Sequence, residues 1–203
     1  MRPLRSTLKG LGRTAIVSAL ALIASVCIAA EKKIVALFPT GTSESVMSPQ
    51  GVDLETAATN AIDKVLRAND RLQVVMFSRA NAAVRRALTE GTIPAALLLP
   101  PFTGRTGGEY RAVTLGRLMR AQLAVASTVS SYRFARDTKT AHVILTLEAY
   151  DITTGKILGV ASVSGEAEGE DEKSAAANAI AKAAAAAATE AIDFLLKRPK
   201  GDG

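Results

Sequence analysis

The chain has 203 residues, 48% of them hydrophobic, and its 25 Lys and Arg against 19 Asp and Glu give a net charge of +6. Enough apolar residues are present to bury a core, which excludes a disordered polymer. A single Cys and a single His exclude a disulfide-stapled mini-protein, an iron–sulfur cluster and a multi-His metal site. We therefore expect no metal and no other cofactor.

The first thirty residues are typical of a secretory signal peptide. Four basic residues are the only charges before Glu31, and an uncharged apolar stretch follows over residues 14–30. The stretch ends in small residues, so cleavage is expected after Ala29 or Ala30. An uncleaved anchor or a buried helix are the alternatives, and Val26 before Cys27 argues against lipidation. Residues 31–203 then form one domain with 21 basic and 19 acidic residues, close to neutral.

Two strand–helix pairs are predicted to open this domain. Short apolar runs bounded by Pro, Gly or polar residues are typical of buried strands, and apolar residues at helical spacing indicate amphipathic helices. The predicted elements are a strand over 34–39, a helix over 54–68 capped by Asp53, a strand over 72–77, and a helix over 81–90 capped by Ser78 and ended by Gly91.

The rest of the chain is predicted to be a loop region, a meander and a long helix. Residues 92–111 contain many Pro and Gly, so we expect loop with one helical turn at 95–99. Polar turns separate three strands, which favours an antiparallel meander. The elements are a helix over 114–122, strands over 123–134, 142–150 and 156–165, and an Ala-rich helix over 173–197. The order predicts an α/β fold, a mixed sheet of three to five strands covered on one side by helices.

Three stretches carry a resemblance to a group of bacterial envelope domains. They are the opening strand with its Pro at 34–39, Phe77-Ser78 followed by residues 84–91, and residues 143–156, which contain a D-x-x-T-G-K hairpin. Together with the element order they resemble the curli-secretion lipoprotein CsgG, the lipoprotein activators of penicillin-binding proteins and the N-terminal domain of TolB. The resemblance covers most of residues 34–165. Its motifs describe a core and a turn and not a reaction.

The resemblance implies an exported, non-enzymatic protein that binds a partner or scaffolds an assembly in the periplasm or cell envelope. The long inserted hairpins of the curli pore are missing from the sequence, which argues against a pore. A subunit of an oligomeric secretion ring is one alternative. The oligomeric state is left open, and membrane contact is expected only through the N-terminal segment.

Motifs for catalysis are weak. His142 is the only His, and no G-x-S-x-G sequence accompanies it, so a serine hydrolase is not indicated. Residues 40–43 and 104–108 lack the spacing of phosphate-binding loops. The acidic run at 166–172 lacks the spaced ligands of a calcium loop and is expected to be a solvated turn before the last helix. A hydrolase that uses Glu148 and Asp151 is the enzymatic alternative.

Charge is divided along the domain. Residues 81–140 carry nine basic and three acidic side chains, whereas residues 141–203 carry six basic and ten acidic ones. Arg suits bidentate contacts with carboxylate or phosphate, so we expect an envelope protein or an anionic cell-wall component as partner. Nucleic acid is not expected, since Trp is absent and 4% of the residues are aromatic. The candidate partner-binding residues are Arg85, Arg86, Arg105, Arg117, Arg133 and Arg136.

Overall fold

A computed structural model describes residues 31–49, 51–104 and 107–197. The predicted signal peptide and its cleavage at Ala30 lie outside these residues and stay predictions. None of the helices in the described residues is long and apolar enough to span a membrane. The elements are β1 (Lys33–Leu37), β2 (Gly41–Thr42), α1 (Leu54–Arg67), β3 (Leu72–Met76), α2 (Ala82–Thr89), a 3-10 turn (Ala95–Leu98), α3 (Gly108–Leu118), β4 (Leu123–Ala135), β5 (Thr140–Asp151), β6 (Ile157–Glu168) and α4 (Glu172–Leu196).

One mixed sheet organises the domain, as predicted. Its strand order is β3-β1-β4-β5-β6, and β2 pairs with β4 beyond the end of β1. β1 pairs in parallel with β3 and β4, whereas β4, β5 and β6 form the antiparallel meander. The sheet has six strands, one more than the predicted upper number. The missed strand, β2, is a two-residue Gly-Thr segment with no hydrophobic pattern to indicate it.

The first face of the sheet is buried under α1 and α4. Alternating residues of the strands meet the apolar sides of both helices, among them Val35, Val125 and Leu145, each fully buried. The predicted Ala-rich helix is confirmed as α4, and one side of it is buried on the sheet, including Ile180, Ala184, Ala187, Ala191 and Leu195. Small side chains let this helix lie close on the strands. At Gly165 of β6 an added Cβ would come within 2.1 Å of the Ala179 carbonyl oxygen.

The opposite face carries a second core, so the prediction of helices on one side was wrong. Here α2, the 3-10 turn and α3 cover the sheet. Phe38, Phe77 and Phe102 form its centre, with ring centroids 4.9 to 5.4 Å apart. Successive side chains point to opposite faces of the sheet. Leu37, the last residue of β1, therefore enters the first core, and Phe38, which follows it, enters the second. Both faces of the parallel strands are therefore buried, as βαβ crossovers require.

Two helices begin or end away from their predicted residues. α2 is capped by Asn81, whose side-chain oxygen accepts the Ala83 N–H at 2.9 Å, whereas Ser78 accepts from Ala80 in the preceding turn. α3 begins at Gly108, six residues earlier than predicted. Gly108 is buried, and a Cβ there would overlap the Thr103 backbone at 2.0 Å, so this glycine reflects close packing and not a loop.

Local signals at the other turns are confirmed. Asp53 caps α1 by accepting the Thr56 N–H at 2.9 Å. The β5–β6 turn is closed by Asp151, which accepts the N–H groups of Thr153 and Thr154 at 2.8 and 3.0 Å. Gly155 has a φ of +70°, a conformation that strongly favours glycine. These contacts explain why the D-x-x-T-G sequence makes a hairpin.

We predict that Gly165→Ala destabilises the domain, by about 2 kcal/mol, because the added methyl group overpacks the contact between β6 and α4. Ser164→Ala is the matched control, since Ser164 is exposed on the same strand. Urea unfolding of both variants measures the difference. Equal midpoints for the two variants would contradict close packing at Gly165.

We predict a pH-dependent cap at α1. Hydrogen bonds from the Thr56 hydroxyl and N–H lower the pKa of Asp53, so its carboxylate stabilises the folded state above the unfolded pKa of about 3.9. That contribution is lost as the pH falls through the lower folded value. Asp53→Ala should cost about 1 kcal/mol at pH 7 and progressively less below about pH 4. Asp53→Asn is the control, since it keeps a side-chain oxygen acceptor that does not titrate. Urea unfolding measures the stability of each variant, and a cost of Asp53→Ala that does not change with pH would contradict the pH-dependent cap.

Candidate partner-binding surface

The second face of the sheet is covered only over half the length of the meander. Along β5, Tyr150 is fully buried beneath α3 and the preceding loop, and Glu148 is half-buried. Further along the same face, Ile144 is 41% exposed and His142 is exposed. The cover therefore ends near Glu148. We call the exposed remainder of this face, formed by residues 130–135, 142–146 and 158–166, the open sheet face.

The open sheet face combines apolar and basic side chains. Ile144, Leu158 and Val160 are large apolar residues that are 41%, 38% and 51% exposed. A depression of about 440 Å³ lies beside Ile144 and is lined by Arg133, His142 and small residues of β4. Ile144 lies opposite Ser164 and Val160 lies opposite Glu148, so the exposed apolar residues extend along the face from the depression to the edge of the cover. Exposed apolar surface of this kind indicates an interaction site more often than single scattered residues do.

Two cross-strand polar contacts lie on this face. The His142 Nδ1 lies 3.3 Å from a Glu166 carboxylate oxygen, between paired residues of β5 and β6. Ser130 and Thr146 share a hydrogen bond of 3.0 Å between β4 and β5. Each contact is solvent-exposed and contributes well under 1 kcal/mol. They keep the backbone in register while leaving the apolar side chains available.

A hydrogen-bonded cluster forms the boundary between the covered and open halves. The Glu148 carboxylate accepts the Gly104 N–H at 2.9 Å and a short hydrogen bond from the Tyr150 hydroxyl. Burial of the Tyr150 ring and the hydroxyl's bond to Glu148 both raise the pKa of Tyr150. The hydroxyl groups of Thr103, in the loop before α3, and Thr128, in β4, share a further hydrogen bond. The loop before α3 is thereby attached to β4 and β5.

The six predicted arginines do not form one patch. Arg85 and Arg86 are exposed on α2, and Arg105 lies outside the described residues. Arg117 on α3 donates to the Ile152 carbonyl at 3.1 Å, near the start of β4. Ile152 is also hydrogen-bonded to Gln122, so Gln122 marks the position of Arg117 beside β4. Arg133 is eleven residues further along β4 and therefore lies roughly 35 Å along the strand from that position.

Arg133 and Arg136 are brought together at the far end of β4. Both line a pocket of about 550 Å³ with Met47 and Tyr132. The Tyr132 hydroxyl donates to Glu172 at 2.9 Å, and burial together with this bond raises the Tyr132 pKa. Arg133 also borders the depression on the open sheet face. Arg133 therefore lies beside the exposed Ile144, and Arg136 shares a pocket with the exposed Met47.

The candidate catalytic carboxylates serve different local contacts. Glu148 holds the loop at Gly104, and Asp151 closes the β5–β6 turn. Among the described residues, no hydroxyl is hydrogen-bonded to His142, and no group of three His, Cys, Asp or Glu is placed to hold a metal. The carboxylates therefore do not converge on a shared pocket.

A separate polar pocket lies after β1 and includes residues of the stretch 40–43, which lacks the spacing of a phosphate-binding loop. It has a volume of about 460 Å³ and is lined by Thr42, Ser43, Thr103 and Thr128 with two prolines and two glutamates. Thr40 beside it is buried, and its hydroxyl is hydrogen-bonded to Ser127 at 2.8 Å. The hydroxyl of Thr42 is buried without a partner among the described residues. In the part of the chain that the structure describes, no basic side chain lines this pocket.

No family model and no curated protein matches the sequence. Solved structures do. The hypothetical protein CT253 from Chlamydia trachomatis is 13% identical with a TM-score of 0.53, over 81% of this chain and 95% of that one. The C-terminal domain of LpoB from Salmonella enterica is 13% identical with a TM-score of 0.43, over 74% and 92%. Lipoprotein GNA1162 from Neisseria meningitidis is 14% identical with a TM-score of 0.42, over 66% and 82%.

These comparisons describe a fold class. The chain shares with CT253 a mixed α/β fold that spans most of both proteins. The finer CsgG-like and TolB-like assignments stay predictions.

The open sheet face was missed by the sequence reasoning, although a signal existed. Alternation in β5 separated Val143, Leu145 and Leu147 from the side that carries His142 and Ile144. That second side contains Ile144, which is exposed, and Tyr150, which is buried. The alternation alone therefore did not show where the covering helix ends. Only the position of α3 on the sheet decides it.

We predict that Glu148→Ala loosens the loop before α3. Removing the carboxylate leaves the Gly104 N–H without its acceptor and the buried Tyr150 hydroxyl with only the Phe102 carbonyl at 3.5 Å, at a cost of about 2 kcal/mol. Glu190→Ala, an exposed substitution on α4, is the control. Urea unfolding measures the stability, and hydrogen exchange reports on residues 99–104. Unchanged exchange in this loop would show that Glu148 does not attach it.

Proposed function

We propose that this protein is an exported, non-enzymatic component of the bacterial cell envelope that binds a protein partner on the open sheet face. The carrying observation is that the antiparallel meander extends beyond its helical cover and exposes Ile144 beside Arg133, with Val160 also exposed on the neighbouring strand β6. An antiparallel sheet can leave one face in water, but that face is then usually polar. The apolar side chains here support docking of a partner.

The chemistry of the surface supports a partner with an apolar side chain next to an acidic segment. Ile144 and the adjoining depression suit an apolar anchor. Arg133 and Arg136 at the end of β4 are placed to contact carboxylates beside that anchor. This arrangement favours a protein over an anionic wall polymer, which would not use the apolar centre.

The non-enzymatic character is supported by the roles of the carboxylates. Glu148 and Asp151, the residues of the hydrolase alternative, each hold backbone N–H groups in place. An envelope location is supported by the signal-like residues 1–30 and by the envelope-related proteins among the structural neighbours.

We predict that a photo-crosslinker placed at Ile144 captures a discrete envelope protein in living cells. The same probe at Glu190, which lies on α4 over the opposite face, should give no such adduct. Mass spectrometry identifies the adduct. Comparable labelling at both positions, or labelling at neither, would overturn the proposed surface.

We predict that Arg133→Glu reduces the yield of the Ile144 adduct several-fold, because a charge at the edge of an interface mainly affects association. Arg86→Glu is the matched control, since Arg86 is exposed on α2 above the covered half of the sheet. Both variants should retain the wild-type unfolding midpoint. An equal loss of adduct in both variants would indicate a general effect of charge and would contradict a role for Arg133.

A further inference from the structure

The longest unpaired strand edge of the described sheet belongs to β6. This strand pairs with β5 along one side, and no strand of the described chain pairs with its other side. It has twelve residues, Ile157–Glu168, so its outer edge presents a long series of backbone donors and acceptors. The opposite edge strand of the sheet, β3, has five residues.

The usual protection of an edge strand is confined to the two ends of β6, and a bulge lies at the first end, between residues 157 and 159. Lys, Pro and inward-pointing charges commonly prevent edge pairing, yet residues 157–165 include no charged residue and no Pro. Leu158 and Val160 are exposed along this stretch. At its end, the Lys182 ammonium donates to the Glu166 carbonyl at 3.3 Å. The open part of the edge therefore runs to about Gly165.

The charges that flank this open edge have opposite signs. Lys156 is exposed immediately before β6, and Glu166 and Glu168 are exposed at its end. In an antiparallel pair of two β6 strands, the basic end of each lies against the acidic end of the other. In a parallel pair the acidic ends would lie side by side and repel. The strand is therefore complementary to an antiparallel copy of itself.

From this self-complementarity we propose that two copies of the protein associate through antiparallel pairing of their β6 strands. The two-fold axis passes at Ser162, a register that sets Val160 of each copy opposite Ser164 of the other and brings Lys156 of each copy near Glu166 and Glu168 of the other. A two-fold interface of this kind uses the same surface on both copies. It joins the two sheets into one, and the two open sheet faces become a continuous surface.

The pairing does not depend on the envelope partner proposed above. It uses backbone groups at the edge, whereas the partner contacts side chains of β4 and β5 around Ile144. Purified protein is sufficient to test it, so its failure and the failure of the partner proposal are distinguishable.

Cysteine trapping tests the register directly. In a full-length Cys27→Ser background, single cysteines at the exposed residues Leu158, Val160, Ser162 and Ser164 are oxidised in purified protein. Trapped dimer should be at least five-fold greater for Ser162→Cys than for Ser164→Cys alone. Mixing Val160→Cys with Ser164→Cys protein should restore trapping. Glu190→Cys on α4 is the control. Trapping no greater at Ser162 than at Glu190, or equal trapping along the strand, overturns the proposal.

Charge exchange gives an independent readout. Sedimentation analysis should show a several-fold weaker dimer for Lys156→Glu, because each copy then has acidic residues at both ends of the edge. Adding Glu166→Lys and Glu168→Lys to that variant should restore the dimer, and this recovery cannot be explained by misfolding. A wild-type protein that remains monomeric at concentrations of about 0.5 mM, or a triple variant that stays as weak as Lys156→Glu, contradicts antiparallel self-pairing.

Discussion

The close contact between α4 and the strands beneath it supports the rest of the domain. Gly159 and Gly165 of β6 have no space for a side chain, because Phe194 and the backbone of Ala179 occupy it. The alanines of α4 have little side-chain entropy to lose and bring the helix backbone near the sheet. This contact holds the outermost strand, which would otherwise be attached only through β5. Without it, half of the meander would have neither face covered.

The same sheet is covered unequally on its other side, and this inequality creates the candidate surface. α3 and the loop before it reach as far as Glu148, where hydrogen bonds from Gly104 and Tyr150 end the covered region. Beyond that point the strands continue with one core below them and water above. A partner that binds there meets a rigid surface, because the backbone is already ordered by the first core and by cross-strand contacts. Little conformational entropy is then lost on binding.

Much of the fold could be predicted from local patterns. The strands β4 and β5, the cap at Asp53 and the hairpin at Asp151 were correctly placed. The cap and the hairpin depend on contacts within a few residues, and the polar turns on either side mark where each strand ends. The second core was not predicted. Alternation along a strand shows that its two sides differ, but it does not show which helix covers each side. α3 was displaced because Gly108 looks like a loop residue until its contact with Thr103 is known. The two-residue β2 has no periodicity to detect.

The candidate site divides in the same way. By itself the sequence determined the class of fold, the presence of a single His and a single Cys, and the basic character of the middle of the chain, because composition and short-range spacing carry that information. Only the tertiary structure separated Arg117 from Arg133 and left Ile144, Leu158 and Val160 exposed. The physical reason is that the exposure of a strand residue depends on how far a helix from another part of the chain extends over the sheet. The residues next to it in the sequence do not determine that extent.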